Sequence, residues 1–309
     1  MSINPFRISA SPRCQIVPLP GNQVSFAIDG TERLRWHASE DAPRPFFFPL
    51  TGPSGIPLTR MGHPGAPDHD HHRSVWFAHH KVANHNFWAD TPSTKIRQTQ
   101  WLAYDDGDDE ARMAVQLEWL AGPELHPVIK QDLLVAVAPA PGAGVFLELQ
   151  TSLRSVAETI KLEQTNFGLL AVRVAKAISA RFGGGVITGA NGQQGEKALF
   201  GMPSAWIDYS GEIDQGIVEG ITYFDHPSNG RFPSKWHVRD DGWMGASVCR
   251  DGAVMLYKDK PTAWRYLLHA HPGAINRDVA SQVQDDFHNR SPMRLQKGGV
   301  SQAYTIERS

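Results

Sequence analysis

The sequence predicts a mainly β protein, an antiparallel sandwich or barrel, and three observations predict it. Apolar and polar residues alternate with a period of two in several stretches, turn-forming residues bound many of those stretches, and few windows carry a helical period. The clearest alternation lies at 111–119, where Met113, Val115, Leu117 and Trp119 interleave with Arg112, Gln116 and Glu118.

In chain order, strands are expected at 23–29, 111–119, 128–137, 145–156, 217–224, 254–257 and 302–306. Asp105-Asp106-Gly107-Asp108-Asp109 is a turn signal before the second of these, and Asp251-Gly252 is one before the sixth. Residues 138–144, which read Ala-Pro-Ala-Pro-Gly-Ala-Gly, suit an exposed hairpin loop between the third and fourth. Residues 169–180 alone have some helical character, with an ambiguous period. No repeat or linker interrupts the chain, so one domain over 1–309 is expected.

Composition excludes several classes of function. The chain has 309 residues, 41% hydrophobic and 20% charged, with a formal net charge of −2. That balance gives no electrostatic reason to expect nucleic acid or an anionic membrane as partner. No apolar run approaches the roughly 18 to 20 residues of a membrane span. The first residues lack a signal peptide's apolar stretch, and Cys14 and Cys249 make neither a disulfide framework nor a zinc site. A cytoplasmic protein acting on a small molecule is the expectation, and a homo-oligomer is compatible with it. The glycine-rich stretch 183–195 lacks the Gly-Lys-Ser/Thr of a phosphate cradle and reads as a turn-rich loop. No Gly-x-Ser-x-Gly elbow is present, so serine nucleophile chemistry has no support.

Two segments resist the strand reading: 43–90, dense in Pro, Gly, His and aromatics, and 224–245. Of the fourteen histidines, seven lie between His63 and His85. At their centre stands Asp68-His69-Asp70-His71-His72-Arg73-Ser74-Val75-Trp76-Phe77-Ala78-His79-His80. Extended, this run would place His69, His71 and Arg73 on one face; helical, it would group His69, His72, Arg73 and Trp76. Imidazole is the side chain best matched to proton transfer near neutral pH, and Asp68 or Asp70 could fix its tautomer. Arg73 can hold a carboxylate or a developing oxyanion, and Trp76 and Trp88 offer faces that stack on sugar rings. The second segment adds Asp225, His226, Trp236, His237, Arg239 and Asp240.

A metal reading stands beside this one. His69 and His71 form a His-x-His pair of the kind that presents two nitrogen ligands, with Glu118, Asp225 or His226 as a third, so a divalent metal is compatible with the sequence although no ligand set is assigned. The zinc-protease spacing and the carboxylate that follows a cupin's His-x-His are both missing.

In order along the chain, Arg44-Pro45-Phe46-Phe47-Phe48-Pro49, Gly52-Pro53, Leu58-Thr59-Arg60, the histidine run, Asn86-Phe87-Trp88, Trp206-Ile207-Asp208-Tyr209-Ser210-Gly211, Phe224-Asp225-His226-Pro227-Ser228-Asn229 and Trp236-His237-Val238-Arg239 resemble the DUF6807 family. The resemblance runs from about Arg44 to the C-terminus. Asp70 stands where that family has proline, and Gly230, Phe232 and Lys235 replace its commoner Pro, His and Trp. Members often carry the label "PmoA family" or "methane oxygenase PmoA", which does not suit a chain without a spanning segment. The resemblance implies instead a large antiparallel β-sandwich similar to the galactose mutarotase-like supersandwich, with sugar-related work. The expectation is therefore a carbohydrate-active enzyme acting on a sugar, keto-sugar or glycoside by epimerisation, elimination or cleavage. His71 and His72, with Asp225 and His226 opposite, are the expected proton-transfer groups. His69, Arg73, His79, His237 and Arg239 would orient sugar oxygens, with Trp76, Trp88 and Trp236 as aromatic platforms. A non-catalytic sugar-binding or sensor protein is the alternative.

Overall fold

Alternation sorts the side chains of each strand to two faces, and burying one face of each of two sheets yields a sandwich. The computed structural model describes residues 11–66, 69–299 and 303–309. Among them the chain begins with β1 (Cys14–Leu19), β2 (Gln23–Ile28), β3 (Thr31–His37), β4 (Phe46–Leu50) and β5 (Val75–Ala78). A meander of long strands follows: β6 (Thr94–Asp105), β7 (Ala111–Ala121), β8 (His126–Ala140) and β9 (Gly144–Ser155). Next come β10 (Thr159–Leu162), β11 (Leu169–Arg173), the single-turn α1 (Ala180–Gly183), β12 (Val186–Gly189) and the single-turn α2 (Glu196–Leu199). The chain continues through β13 (Trp206–Asp214), β14 (Ile217–Asp225), β15 (Trp236–Arg239), β16 (Trp243–Ala246), β17 (Val254–Tyr257) and β18 (Thr262–Pro272). It ends with α3 (Arg277–Asn289), β19 (Met293–Lys297) and β20 (Tyr304–Arg308).

The first sheet has the order β1-β2-β3-β4-β5-β11-β16-β15, and the second β12-β13-β14-β18-β9-β8-β7-β6. Both are antiparallel, they form a sandwich-like arrangement, and neither closes into a barrel. One continuous apolar core lies between them, drawing Phe26, Trp36, Phe47 and Val172 from the first sheet and Val115, Trp119, Leu149 and Tyr266 from the second. Where indole N–H groups enter this core they are satisfied: Trp119 Nε1 donates to Gln131 at 2.7 Å, and Gln131 in turn donates to Thr151. Among the described residues no helix is long and apolar enough to cross a membrane.

The hairpin loop expected at 138–144 is a single 3-10 turn, Pro141–Ala143, with Gly142 at φ 67. The helical reading of 169–180 is replaced by β11 followed by short turns, because Leu169–Arg173 is buried throughout and so shows no strand alternation. The last expected strand starts at Tyr304 rather than 302, and residues 300–302 lie outside the described ones. A helix was not expected at 277–289. Asn276 caps it by accepting from the N–H groups of Asp278 and Val279. Its buried stripe, Ala280, Val283 and Phe287, packs on the outer face of the second sheet against Trp206, Phe224 and Leu267.

The C-terminal elements are held to that same face by charge. Glu148, 1% exposed, meets Arg265 at 3.0 Å, Arg290 at 3.3 Å and Arg308 at 2.9 Å. Removing one partner of a buried ion pair leaves an uncompensated charge. Glu148→Ala should therefore lower stability by about 3–5 kcal/mol, read as a lower urea midpoint at unchanged m value. Adding Arg265→Met should restore part of it by removing the stranded guanidinium. A Glu148→Ala protein as stable as the parent contradicts this account.

Candidate functional site

The site is built on the outer face of the first sheet. Along β5, Val75 and Phe77 enter the core while Trp76 and Ala78 belong to a separate apolar cluster with Trp88, Ala171 and Trp243. Registers place Phe46, Trp76, Ala171, Gly245 and His237 in one row across β4, β5, β11, β16 and β15. The centre of that row is alanine and glycine, so the sheet surface is low there between aromatic flanks. The Trp243 indole takes the space: a Cβ on Gly245 would lie 3.5 Å from its Nε1. Trp88 sits 5.4 Å from both Trp76 and Trp243, and Phe167 lies 4.7 Å from Trp88 (ring centroids).

The histidines close over this cluster. Residues 60–62 run against 72–74, with Met61 bridged to Arg73 and the Gly62 N–H donating to the His72 carbonyl. Leading into the second run, the His72 N–H donates to the His69 carbonyl, a tight turn rather than the extended or helical run considered from sequence. The turn brings the rings together: His71–His72 at 4.5 Å, His69–His72 at 5.1 Å, His69–His71 at 5.8 Å and His63–His69 at 5.6 Å. His72 stacks on Trp76 at 5.4 Å and lies 5.2 Å from Trp243. His69, His71 and Arg73 are half-buried at the rim, whereas His72 is buried. Asp68 lies outside the described residues.

Arginines fix this geometry. Arg173, fully buried, meets Asp241 at 2.7 Å and 3.3 Å, and the same carboxylate is 3.1 Å from His63 Nε2. Arg60 donates to the carbonyls of Gly62, Val174 and Asp241. On the other side, buried Arg44 donates to the carbonyls of His71 and Ala89 and pairs with Asp90 at 2.9 Å, and Arg73 binds Asp90 as well. Burial pushes the Arg44 guanidinium down to about 10, with the charge of Asp90 opposing. Burial would raise the Asp241 carboxyl, but hydrogen bonds from Arg173 and its charge hold it below the usual range. His72 is driven far below the ordinary imidazole range by burial and by the nearby Arg173 charge, so it is a neutral ring. His63 is lowered for the same two reasons.

His237 joins the cluster from β15, stacked on Trp243 at 4.1 Å. Its Nδ1 lies 3.2 Å from the Asn166 carbonyl, which accepts only, so Nδ1 carries the proton and Nε2 the lone pair. Burial pushes it down to about 4. Arg239 shares its face at the rim and pairs with Glu196 at 3.1 Å. The rest of the second segment lies elsewhere, which corrects the expected second wall. Asp225 is fully buried and accepts from the N–H groups of His226 and Ser234 and from Asn229, so it staples its own loop. His226 faces Phe287 of α3, with Ser228 on Nδ1 and Arg265 on Nε2, and burial with the Arg265 charge pushes it down to about 4. Trp236 is a core residue, T-shaped against Tyr223 with its N–H on the Ser204 carbonyl, and offers no platform. Trp76 is the floor beneath His72 rather than an open face. His79 is fully buried, its Nε2 donating to the Glu163 carbonyl at 2.9 Å.

Among the described residues no group of three His, Cys, Asp or Glu side chains is arranged to hold a metal ion. Glu118, offered as a third ligand, pairs with Arg97 on the second sheet instead. Cys14 and Cys249 are both buried thiols, and burial pushes Cys249 up to about 11. Trp243, Phe167, Arg173, Asp90 and Asp241 are not singled out by the sequence, and Arg44 and Arg60 stand in its motifs without a role. Trp243 and Asp241 were within reach, since both close the second irregular segment.

Fold and geometry together define a two-sheet antiparallel sandwich carrying a histidine–tryptophan site on the outer face of one sheet. The chain belongs to DUF6807, a family of unknown function, whose model matches residues 23–285 and so spans every residue of that site. No curated protein matches it.

Burial holds His79 and His237 at about 4, against roughly 6.5 in an unfolded chain. The unfolded state then binds more protons between those values. These rings contribute fully above about pH 6.5, and that contribution is lost as pH falls toward 4, by at most about 1.4 kcal/mol per pH unit per ring. Urea titrations between pH 6.5 and 5 should show the decline. His79→Gln, whose amide can still donate to the Glu163 carbonyl, should flatten it by about one proton. A wild-type midpoint independent of pH over that interval sinks the assignment.

Proposed function

We propose that the chain is a cytoplasmic carbohydrate-active enzyme that moves protons between imidazole and a sugar, keto-sugar or glycoside. One observation carries the reading: three adjacent imidazoles, His69, His71 and His72, sit on a Trp/Phe cluster with arginines anchored on either side. Clustered titratable rings suit proton transfer better than passive binding, and the buried aromatic cluster beneath them holds them in place. The implied likeness to mutarotase-type supersandwiches supports the same substrate class at the level of fold. Trp76 Nε1, Trp243 Nε1 and His72 Nδ1 are buried without a hydrogen-bond partner among the described residues, so polar groups of this cluster have bonding capacity left over.

The roles follow from exposure and charge. His71 and His69, at the rim, are the acid–base pair. His72 is kept neutral and acts as a hydrogen-bond partner. Beside a keto group a sugar C–H is acidic; an imidazole takes that proton, and the Arg73 guanidinium faces the oxyanion that forms. Returning the proton to the opposite side gives epimerisation, and expelling a β-substituent gives elimination. His237 and Arg239 contact the ligand from β15. Asp225, His226, His79 and Trp236 have no part in the chemistry.

An NMR time course with free sugars and 3-keto-glycosides, with and without a divalent metal, tests this. Turnover is expected, and His71→Ala should lower kcat by roughly 10²–10⁴ with the fold intact. His226→Ala should leave kcat within about twofold while costing about 1–3 kcal/mol of stability, since it leaves one buried N–H group of Arg265 without its partner. Full activity in His71→Ala defeats the proposal, and saturable sugar binding without turnover by the wild type assigns the site to a sensor.

A further inference from the structure

The outer face of the second sheet holds two more histidines that the reaction does not use. His269 and His271 alternate outward along β18, each 5% exposed. His271 donates to Asp208 at 2.8 Å and lies 3.3 Å from the Pro272 carbonyl, so both its nitrogens are engaged. Asp208 also accepts from Ser210 at 2.7 Å and Thr222 at 2.9 Å. Gly220 makes room for this pair, because a Cβ there would lie 2.9 Å from His271 Cε1. Burial lowers His271, but its hydrogen bond to Asp208 and that charge prevail and raise it, which favours the protonated ring beside the carboxylate.

His269 is different. Its ring lies 5.3 Å from that of His271 and 4.6 Å from Phe146, and its Nε2 is buried with no hydrogen-bond partner among the described residues. Burial and the His271 charge push it down to about 3, so it is neutral. Both histidines border a cavity of ≈ 210 Å³. Pro141 at the β8–β9 turn, Pro272, and Ile275, Val279 and Ala280 at the start of α3 complete its mainly apolar wall. An apolar cavity of roughly 150 Å³ accepts benzene, so this one admits a six-membered ring with a substituent. A neutral imidazole with an unpartnered nitrogen can pair with a hydroxyl as acceptor or donor, and a mainly apolar wall disfavours burying a carboxylate.

We infer that this cavity is a second ligand site, for a small neutral ring compound, aromatic or alicyclic, whose single hydroxyl binds His269. The test is calorimetry and ligand-observed NMR on the full chain with phenol, cyclohexanol, benzene and benzoate. Phenol and cyclohexanol should bind saturably, with benzene weaker by about tenfold or more and benzoate not binding. His269→Leu should weaken phenol by about tenfold, to the level of benzene. Val279→Trp, at a half-exposed position where folding is not at risk, should abolish binding of both. No saturable binding at millimolar phenol, undiminished binding in Val279→Trp, or equal affinity for phenol in a folded His269→Leu overturns the inference. If His269→Leu does not fold, Val279→Trp decides.

Discussion

The buried pair of Arg173 and Asp241 is the interaction on which the site depends. Arg173 sits in the middle of the first sheet and Asp241 in the turn between its last two strands, so the contact fixes an edge hairpin to the sheet centre. The same carboxylate takes His63, and the Asp241 carbonyl takes Arg60, which ties the histidine segment to the same point. A bidentate fork constrains direction as well as distance, so the segment has little freedom to slide. The guanidinium has a second effect, since its charge helps keep His72 unprotonated. Burial does most to keep His72 neutral and this cation adds to it, so Arg173 bears on both position and protonation.

Shape comes from the smallest residues. Ala171 and Gly245 leave the middle of the outer face low, and the indoles of Trp243 and Trp88 settle into the space from the side. A larger residue at either place would lift those rings and the imidazole stacked on them. The imidazoles carried by the turn thus rest on a packed aromatic floor that limits their motion.

How much of this was legible in the sequence depends on whether both faces of a strand are covered. The long strands of the second sheet, 111–119 above all, alternate visibly because one face meets the core and the other meets polar surroundings or water. β5 and β11 do not, because the core covers one face and the aromatic cluster the other, so every residue is buried and the period vanishes. α3 has a weak sequence signal because only three of its residues are buried within a strongly polar stretch, and its marks are Asn276 and the spacing of Ala280, Val283 and Phe287. The histidine cluster was legible from density alone. The second wall was not, since the chain changes sheets between Asp225 and Trp236. Residues eleven apart in sequence therefore serve opposite layers, and only the half ending at Trp243 reaches the site.

The grip of Glu148 on the C-terminal elements bears on what counts as the folding unit. The family match ends at residue 285, while Arg290 and Arg308, two of the three guanidinium groups around that carboxylate, lie beyond it. A chain trimmed to the shared region would keep the whole histidine–tryptophan site yet leave a buried carboxylate at the centre of the opposite sheet with only Arg265 of its three guanidinium partners. The evolutionary unit and the thermodynamic unit of this protein therefore have different boundaries, and expression limits should follow the second.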